Sequence, residues 1–165
     1  MTFSQEILNK IDSIIKRYPE GKQKSALIPI LHLIQETGTN SLTTEQMDEV
    51  ANILDILPIE VYEVATFYTM FNLKPVGKFV LEICQTGPCM LKGSDQIIEY
   101  VKKKLNIENG QTTPDGLFTL KLAECLGACG YAPMMQLGKT YQEFLTEEKI
   151  DQILEDCRKS ASLAV

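Results

Sequence analysis

Phe79-Val80-Leu81-Glu82-Ile83-Cys84-Gln85-Thr86-Gly87-Pro88-Cys89 decides the fold of the second half of this 165-residue chain. An apolar run of high strand propensity ends directly on a cysteine, a Gly-Pro loop follows, and a second cysteine closes the loop. Beyond it Ile97, Ile98, Val101 and Leu105 recur at helical spacing, so the segment reads strand, loop, helix. Downstream, Pro114-Asp115-Gly116 marks a turn, and Leu117 to Leu122 alternates as a strand that delivers Cys125. After Cys129 and Pro133 a last strand is expected over Met134 to Leu137, followed by a turn at Gly138. Thr146 then caps a closing helix whose apolar positions are Ile150, Ile153, Leu154 and Cys157. A βα start, a hairpin and a closing helix are the content of a small α/β sandwich of the thioredoxin type.

Upstream, Lys74-Pro75-Val76-Gly77 reads as a linker, and everything before it has helical texture. Ile7, Leu8, Ile11, Ile14, Ile15 and Tyr18 share one helical face, and Tyr18-Pro19-Glu20-Gly21 breaks it. A second helix runs through Ala26, Leu27, Ile30, Leu31 and Ile34 to Thr37-Gly38, with Pro29 tolerated near its start. Thr43 and Gln46 stand at capping-box spacing before a third, and Pro58 suits the first position of a fourth. The expected fold class is mixed α and β: a helical bundle over residues 1–73, then a thioredoxin-like domain over residues 74–165. Core packing accounts for the bundle's many aliphatics, and for His32, which lies mid-helix far in sequence from any cysteine.

Net charge is −6 and no Lys/Arg cluster stands out, which argues against a nucleic-acid footprint. The amino terminus has no secretory pattern, and the most apolar run, Leu27 to Ile34, is too short to span a bilayer and carries Pro29 and His32. The expected location is the cytoplasm, without direct insertion into a membrane. No Ser/His/Asp or carboxylate constellation suggests hydrolysis, and no G-x-G-x-x-G or other nucleotide signature is present.

Five cysteines in a reducing compartment fit four ligands plus one bystander better than a disulfide framework. Cys157 falls in register with Ile150, Ile153 and Leu154 and reads as a small core hydrophobe. Cys84, Cys89, Cys125 and Cys129 form two tight pairs in Gly-containing loops, the pattern of two loops converging on one thiolate metal centre. Structural zinc usually takes pairs with two residues between ligands, and thiol-disulfide enzymes take C-x-x-C; here four and three residues intervene. A 2Fe-2S cluster is favoured, with zinc second. Gly87 and Gly127 allow close approach of backbone, Met90 and Leu126 can shield the centre, and a helix starting near Cys89 adds its positive end. Lys92 and Lys121 lie near the ligands in sequence, with solvated surface lysine the plainer reading of each.

Asp115-Gly116-Leu117-Phe118-Thr119 followed by Cys125-Leu126-Gly127-Ala128-Cys129-Gly130-Tyr131-Ala132-Pro133 resembles the signature of the small 2Fe-2S subunit of NADH:quinone oxidoreductase. Cys84 with Cys89 matches that family's first ligand pair. Ser25-Ala26-Leu27-Ile28-Pro29 and the run Glu60 to Phe71 are similar to its helical half. The resemblance covers roughly residues 20–155. It implies one 2Fe-2S cluster held by Cys84, Cys89, Cys125 and Cys129 and no catalytic residue in this chain itself. It further implies a place in an NADH-oxidising complex of the complex I type, or in a related NAD-linked hydrogenase or formate dehydrogenase. There the partners are a flavoprotein subunit that binds FMN and NADH and further iron-sulfur subunits, and any membrane association comes through the parent complex. A stand-alone thioredoxin-like ferredoxin is the alternative. The sequence departs from the family at Tyr131, where many members have Asn, and over Gly138 to Gln142, where a more acidic loop with paired tyrosines is usual. A cis bond is expected at Ala132-Pro133.

Overall fold

The structure is a computed structural model in which residues 3–163 are described. Its contacts divide the chain into two compact units, Met1–Pro75 and Val76–Val165.

The first unit holds four helices, α1 (Gln5–Ile15), α2 (Leu27–Thr37), α3 (Thr44–Leu54) and α4 (Pro58–Phe67). Ser4 caps α1 by accepting from the Ile7 N–H, but the helix stops before Tyr18. There the Arg17 and Tyr18 amides turn to the carbonyls of Ile14 and Ile15, a tightening of the last turn that the apolar spacing does not reveal. A 3-10 turn over Gln23–Ala26 leads into α2, and Pro29 falls where a missing N–H costs no helical bond. The box at α3 forms as expected: Gln46 N–H donates to Thr43 Oγ1 (3.3 Å), and Thr43 N–H donates to Gln46 Oε1 (2.9 Å). At α4, Glu60 accepts from the Leu57 N–H at 2.9 Å and pairs with Lys24 at 2.5 Å. Ile11, Ile30, Leu31, Val50, Ala51 and Val61 fill the centre, and the His32 ring meets Phe71 at 5.0 Å, tilted by 47°.

The second unit is a four-stranded sheet whose order is β2-β1-β3-β4, with β1 (Phe79–Cys84), β2 (Phe118–Ala123), β3 (Met135–Leu137) and β4 (Thr140–Gln142). β1 and β2 are parallel, whereas β3 runs antiparallel to both β1 and β4. The parallel pair needs a crossover, supplied by a helical turn α5 (Pro88–Leu91) and a helix α6 (Ser94–Leu105); α7 (Glu147–Ser162) closes the chain. This is the thioredoxin-like arrangement. Two expectations change. The hairpin is made by β3 and β4 across Gly138 rather than by the two strands expected, because β4 is three residues long and too exposed to show alternation. The helix after Cys89 is broken, since Gly93 takes φ +93° and the Lys92 and Gly93 amides bond back into α5.

Leu81, Ile83, Phe118, Leu120 and Met135 of the sheet pack on Ile97, Ile98 and Val101 of α6 and on Ile150, Ile153, Leu154 and Cys157 of α7. Cys157 is therefore the core residue its register predicted, and burial pushes its thiol pKa up. No helix of the described residues is long and apolar enough to cross a membrane.

Candidate metal centre

Parallel pairing of β1 with β2 puts the carboxyl ends of both strands side by side, in register from Phe79 opposite Phe118 to Cys84 opposite Ala123. Each strand end leads into one cysteine loop. Cys84 is the last residue of β1, and its N–H donates to Met134 O at 3.2 Å. Thr86-Gly87-Pro88-Cys89 then reverses the chain, with Cys89 N–H donating to Thr86 O at 3.2 Å. Gly87 has φ 53° and ψ −125°, the first central position of a type II′ turn, and Pro follows it at a position that suits its fixed φ. Cys89 lies inside α5 and is 2% exposed; Cys84 is 4% exposed.

The second loop leaves β2 at Ala123 and carries Cys125 and, at the head of a 3-10 turn over Cys129–Tyr131, Cys129. Both of these cysteines are exposed. Three hydrogen bonds tie the first loop to the start of the second: Gln85 N–H to Ala123 O (3.0 Å), Gln85 Nε2 to Glu124 Oε1 (2.9 Å), and the Thr86 hydroxyl to Glu124 O. Cys84 Sγ faces Glu124 O at 3.8 Å across the same seam. Cys84, Cys89, Ala132 and Met134 form a small apolar cluster, with Leu126 and Ala128 packed against it.

The two buried thiols differ in acidity. Burial pushes Cys89 up to about 11, reinforced by its hydrogen bond with Cys84 and by the charge that Cys84 carries when ionised. Burial opposes ionisation of Cys84 too. The Thr86 backbone, the Cys89 thiol, the Leu126 backbone and the Thr86 hydroxyl together outweigh it, so Cys84 sits below the ordinary thiol value. In the second loop Gly127 N–H already points at Cys125 Sγ, at 3.4 Å.

The structure thus brings Cys84 and Cys89 together and sets the loop of Cys125 and Cys129 beside them. Among the described residues no three His, Cys, Asp or Glu side chains are grouped as a ready-made ion cage. The donor chemistry nonetheless fits a 2Fe-2S cluster: two buried and two exposed thiols, on two loops stitched edge to edge, with apolar side chains behind.

Some expectations around the cysteines need correction. Gly87 and Gly127 have φ values of +53° and +74°, a backbone conformation that by itself favours glycine at both positions. The helical turn holding Cys89 has only four residues, and the long helix begins at Ser94, so little dipole is aimed at the cysteines. Met90 is half exposed, whereas Leu126 packs against the buried thiols with Met134 beside it. Lys121 pairs with Glu82 at 3.3 Å on the sheet, leaving Lys92 as an exposed lysine after α5. Ala132-Pro133 is cis, as expected. Sequence reasoning missed Gln85, Thr86 and Tyr141, whose hydroxyl donates to Leu126 O at 2.7 Å. Thr-Gly-Pro before Cys89 carries a turn signal that could have exposed the first two. Tyr141 gives no such signal, because it reaches the loop only through the β3–β4 hairpin.

Residues 11–158 match the family model of the thioredoxin-like [2Fe-2S] ferredoxins. The chain is 45% identical over 155 residues to the E subunit of NADH-quinone oxidoreductase from Rickettsia felis, covering 94% of this chain and 93% of that one. It is 44% identical over 158 residues to the mitochondrial NADH dehydrogenase [ubiquinone] flavoprotein 2 of Dictyostelium discoideum, covering 96% of this chain and 64% of that one. Among solved structures, an air-oxidised NAD+-reducing [NiFe]-hydrogenase superposes with a TM-score of 0.70 at 19% identity, over 81% of this chain and 23% of that chain, a likeness of fold. With two converging cysteine loops on a thioredoxin-like sheet and a family match over nearly its whole length, the chain belongs to the thioredoxin-like [2Fe-2S] ferredoxins.

Proposed function

We propose that the chain is an electron-transfer subunit that holds one 2Fe-2S cluster through Cys84, Cys89, Cys125 and Cys129 and takes electrons from the FMN of a partner NADH-oxidising flavoprotein. The observation that carries this reading is the seam between the two cysteine loops, where Gln85 and Thr86 hold the first loop against Ala123 and Glu124 just before Cys125. A bound 2Fe-2S cluster supplies one-electron chemistry, the complement of the two-electron hydride that NADH delivers to a flavin.

The chain's own residues would do the rest. Cys84 and Cys89 furnish the sheltered side of the site and Cys125 and Cys129 the side open to a partner. Ala132, Met134 and Leu126 keep water from the buried sulfurs. The helical bundle is the part assigned to partner docking, and no residue of either unit is assigned a catalytic role. The relatives' names, subunits of NADH-quinone oxidoreductase and of NADH dehydrogenase, support a complex I-type parent, and in such a parent further iron-sulfur subunits would carry the electrons on from the flavoprotein.

Anaerobic purification tests the cluster directly. Two iron and two sulfide per chain, visible bands that bleach on reduction and a rhombic EPR signal are the expected result. Colourless protein with stoichiometric zinc overturns it in favour of a structural zinc module. Co-purification with an FMN-containing subunit separates a complex subunit from a stand-alone ferredoxin.

A further inference from the structure

Tyr141 stands on β4, remote in sequence from the cysteines, and its ring is about half exposed. Its hydroxyl donates to the carbonyl of Leu126 at 2.7 Å. That carbonyl and the N–H of Gly127 belong to one peptide group. In a trans peptide the C=O and the N–H point in opposite directions, so holding one end fixes the aim of the other. The other end is the N–H that faces Cys125 Sγ at 3.4 Å. Gly127, at φ +74°, has no side chain to restrain rotation of this peptide.

We propose that Tyr141 is a positioning residue for the cysteine centre: its hydroxyl anchors the Leu126–Gly127 peptide so that the Gly127 N–H stays aimed at the Cys125 sulfur. This deepens the function proposed above and rests on it. Hydrogen bonds to ligand sulfurs stabilise the more negative, reduced state of an iron-sulfur centre and raise its potential. Without the anchor the peptide is free to rotate, the N–H···S contact weakens, and the potential falls. The hairpin that sequence reading overlooked thereby acquires a role. β3 brings β4 back across Gly138, with Gln136 opposite Tyr141, and that pairing places the hydroxyl over the loop. The neighbouring Phe144 N–H donates to Tyr131 O at 2.9 Å, and the two rings meet edge to face at 5.8 Å, so the chain after β4 is fastened to the far end of the same loop.

The test is Tyr141→Phe in the intact, cluster-loaded chain. It removes one oxygen from a half-exposed ring and leaves the hydrocarbon packing in place. At the wild-type midpoint potential the ratio of oxidised to reduced cluster should rise about three- to tenfold, the range of one net hydrogen bond, where tenfold corresponds to 59 mV for a one-electron couple. Resonance Raman supplies a second readout that overall stability does not move. In wild type the Fe–S stretching bands should shift on transfer to D2O, through the exchanged Gly127 amide, and in Tyr141→Phe that isotope shift should shrink. A loaded variant whose midpoint and isotope shift equal those of wild type overturns the proposal. Wild-type bands indifferent to D2O overturn it as well. Wild-type protein that holds no 2Fe-2S cluster overturns instead the functional reading beneath it, and this inference falls with that reading.

Discussion

Replacing Gly87 by alanine isolates what the first cysteine loop demands of its backbone. At φ 53° and ψ −125° the residue occupies the mirror image of the extended region, which L side chains avoid at a cost of about 1–3 kcal/mol. An added Cβ meets nothing within 4 Å, so sterics with neighbours contribute nothing and the whole penalty is conformational. Alanine can escape only by turning the Thr86–Gly87 segment over. That breaks the Cys89 N–H to Thr86 O bond of the II′ turn and strains the Thr86 hydroxyl contact to Glu124 O. Taking about 2 kcal/mol for the loss, and a urea slope of about 2 kcal/mol/M, the unfolding midpoint should fall by about 1 M. Cluster loss to a chelator should quicken in parallel, since Cys89 moves with the turn. The control is D-alanine, placed by semisynthesis, whose preferred φ has the opposite sign. It should match glycine or exceed it by a few tenths of a kcal/mol through a stiffer unfolded chain. An unmoved midpoint in Gly87→Ala refutes the argument. So does a D-alanine chain as unstable as the L-alanine one, because then occupied space and not handedness sets the cost.

Thr43→Ala removes one half of the capping box on α3 and should cost about 1 kcal/mol, read from chemical denaturation. Phe118→Ala empties the centre of the second unit, where the ring is 1% exposed, and should cost about 3–5 kcal/mol in the same assay. Cys129→Ser should abolish the 2Fe-2S visible and EPR signals, whereas Cys157→Ser should keep them and lose about 1–3 kcal/mol for a hydroxyl placed in the core. Asp151 is held below the usual carboxylate range by the Lys104 ammonium and then by the Tyr100 hydroxyl, at 2.9 and 2.7 Å. A depressed folded pKa gives stability that is present above the unfolded value near 3.9 and is lost as pH falls through the folded one. Wild type should therefore exceed Asp151→Asn in stability at pH 5 to 7, with the gap closing below about pH 4 in pH-dependent unfolding.

Much of the fold was legible because its elements announce themselves locally. The capping box at Thr43, Pro58 at the head of α4, the β1 run and the Cys157 register each depend on residues within one or two turns of one another. What was not legible depends on pairing at a distance. β4 has only three residues, exposed or half-buried; Thr140 and Tyr141 favour extension, but so short a run shows no pattern of its own, and it pairs because β3 offers it an edge. The break between α5 and α6 needed Gly93 to be recognised as a left-handed hinge inside an otherwise continuous helical pattern.

The same division runs through the candidate site, and it has a physical cause. An all-thiolate centre would draw its ligands from one residue type at short separations, so four cysteines in two pairs stand out of the sequence unaided. The groups that aim those ligands are under no such restriction. Any donor that reaches the right acceptor will serve, whether Gln85 amide on a carboxylate or Thr86 hydroxyl and Tyr141 phenol on carbonyls, and it can arrive from any element that passes nearby. Spacing therefore points to the ion, whereas orientation is written in contacts that no local pattern encodes. Tyr131 and the stretch Gly138 to Gln142, where the sequence was expected to depart from the family pattern, show the consequence. Read as sequence they touch no ligand; in the fold Tyr131 accepts from Phe144 N–H, and Tyr141 grips the peptide that faces Cys125. Variation at such positions can retune a centre while its four sulfurs stay unchanged.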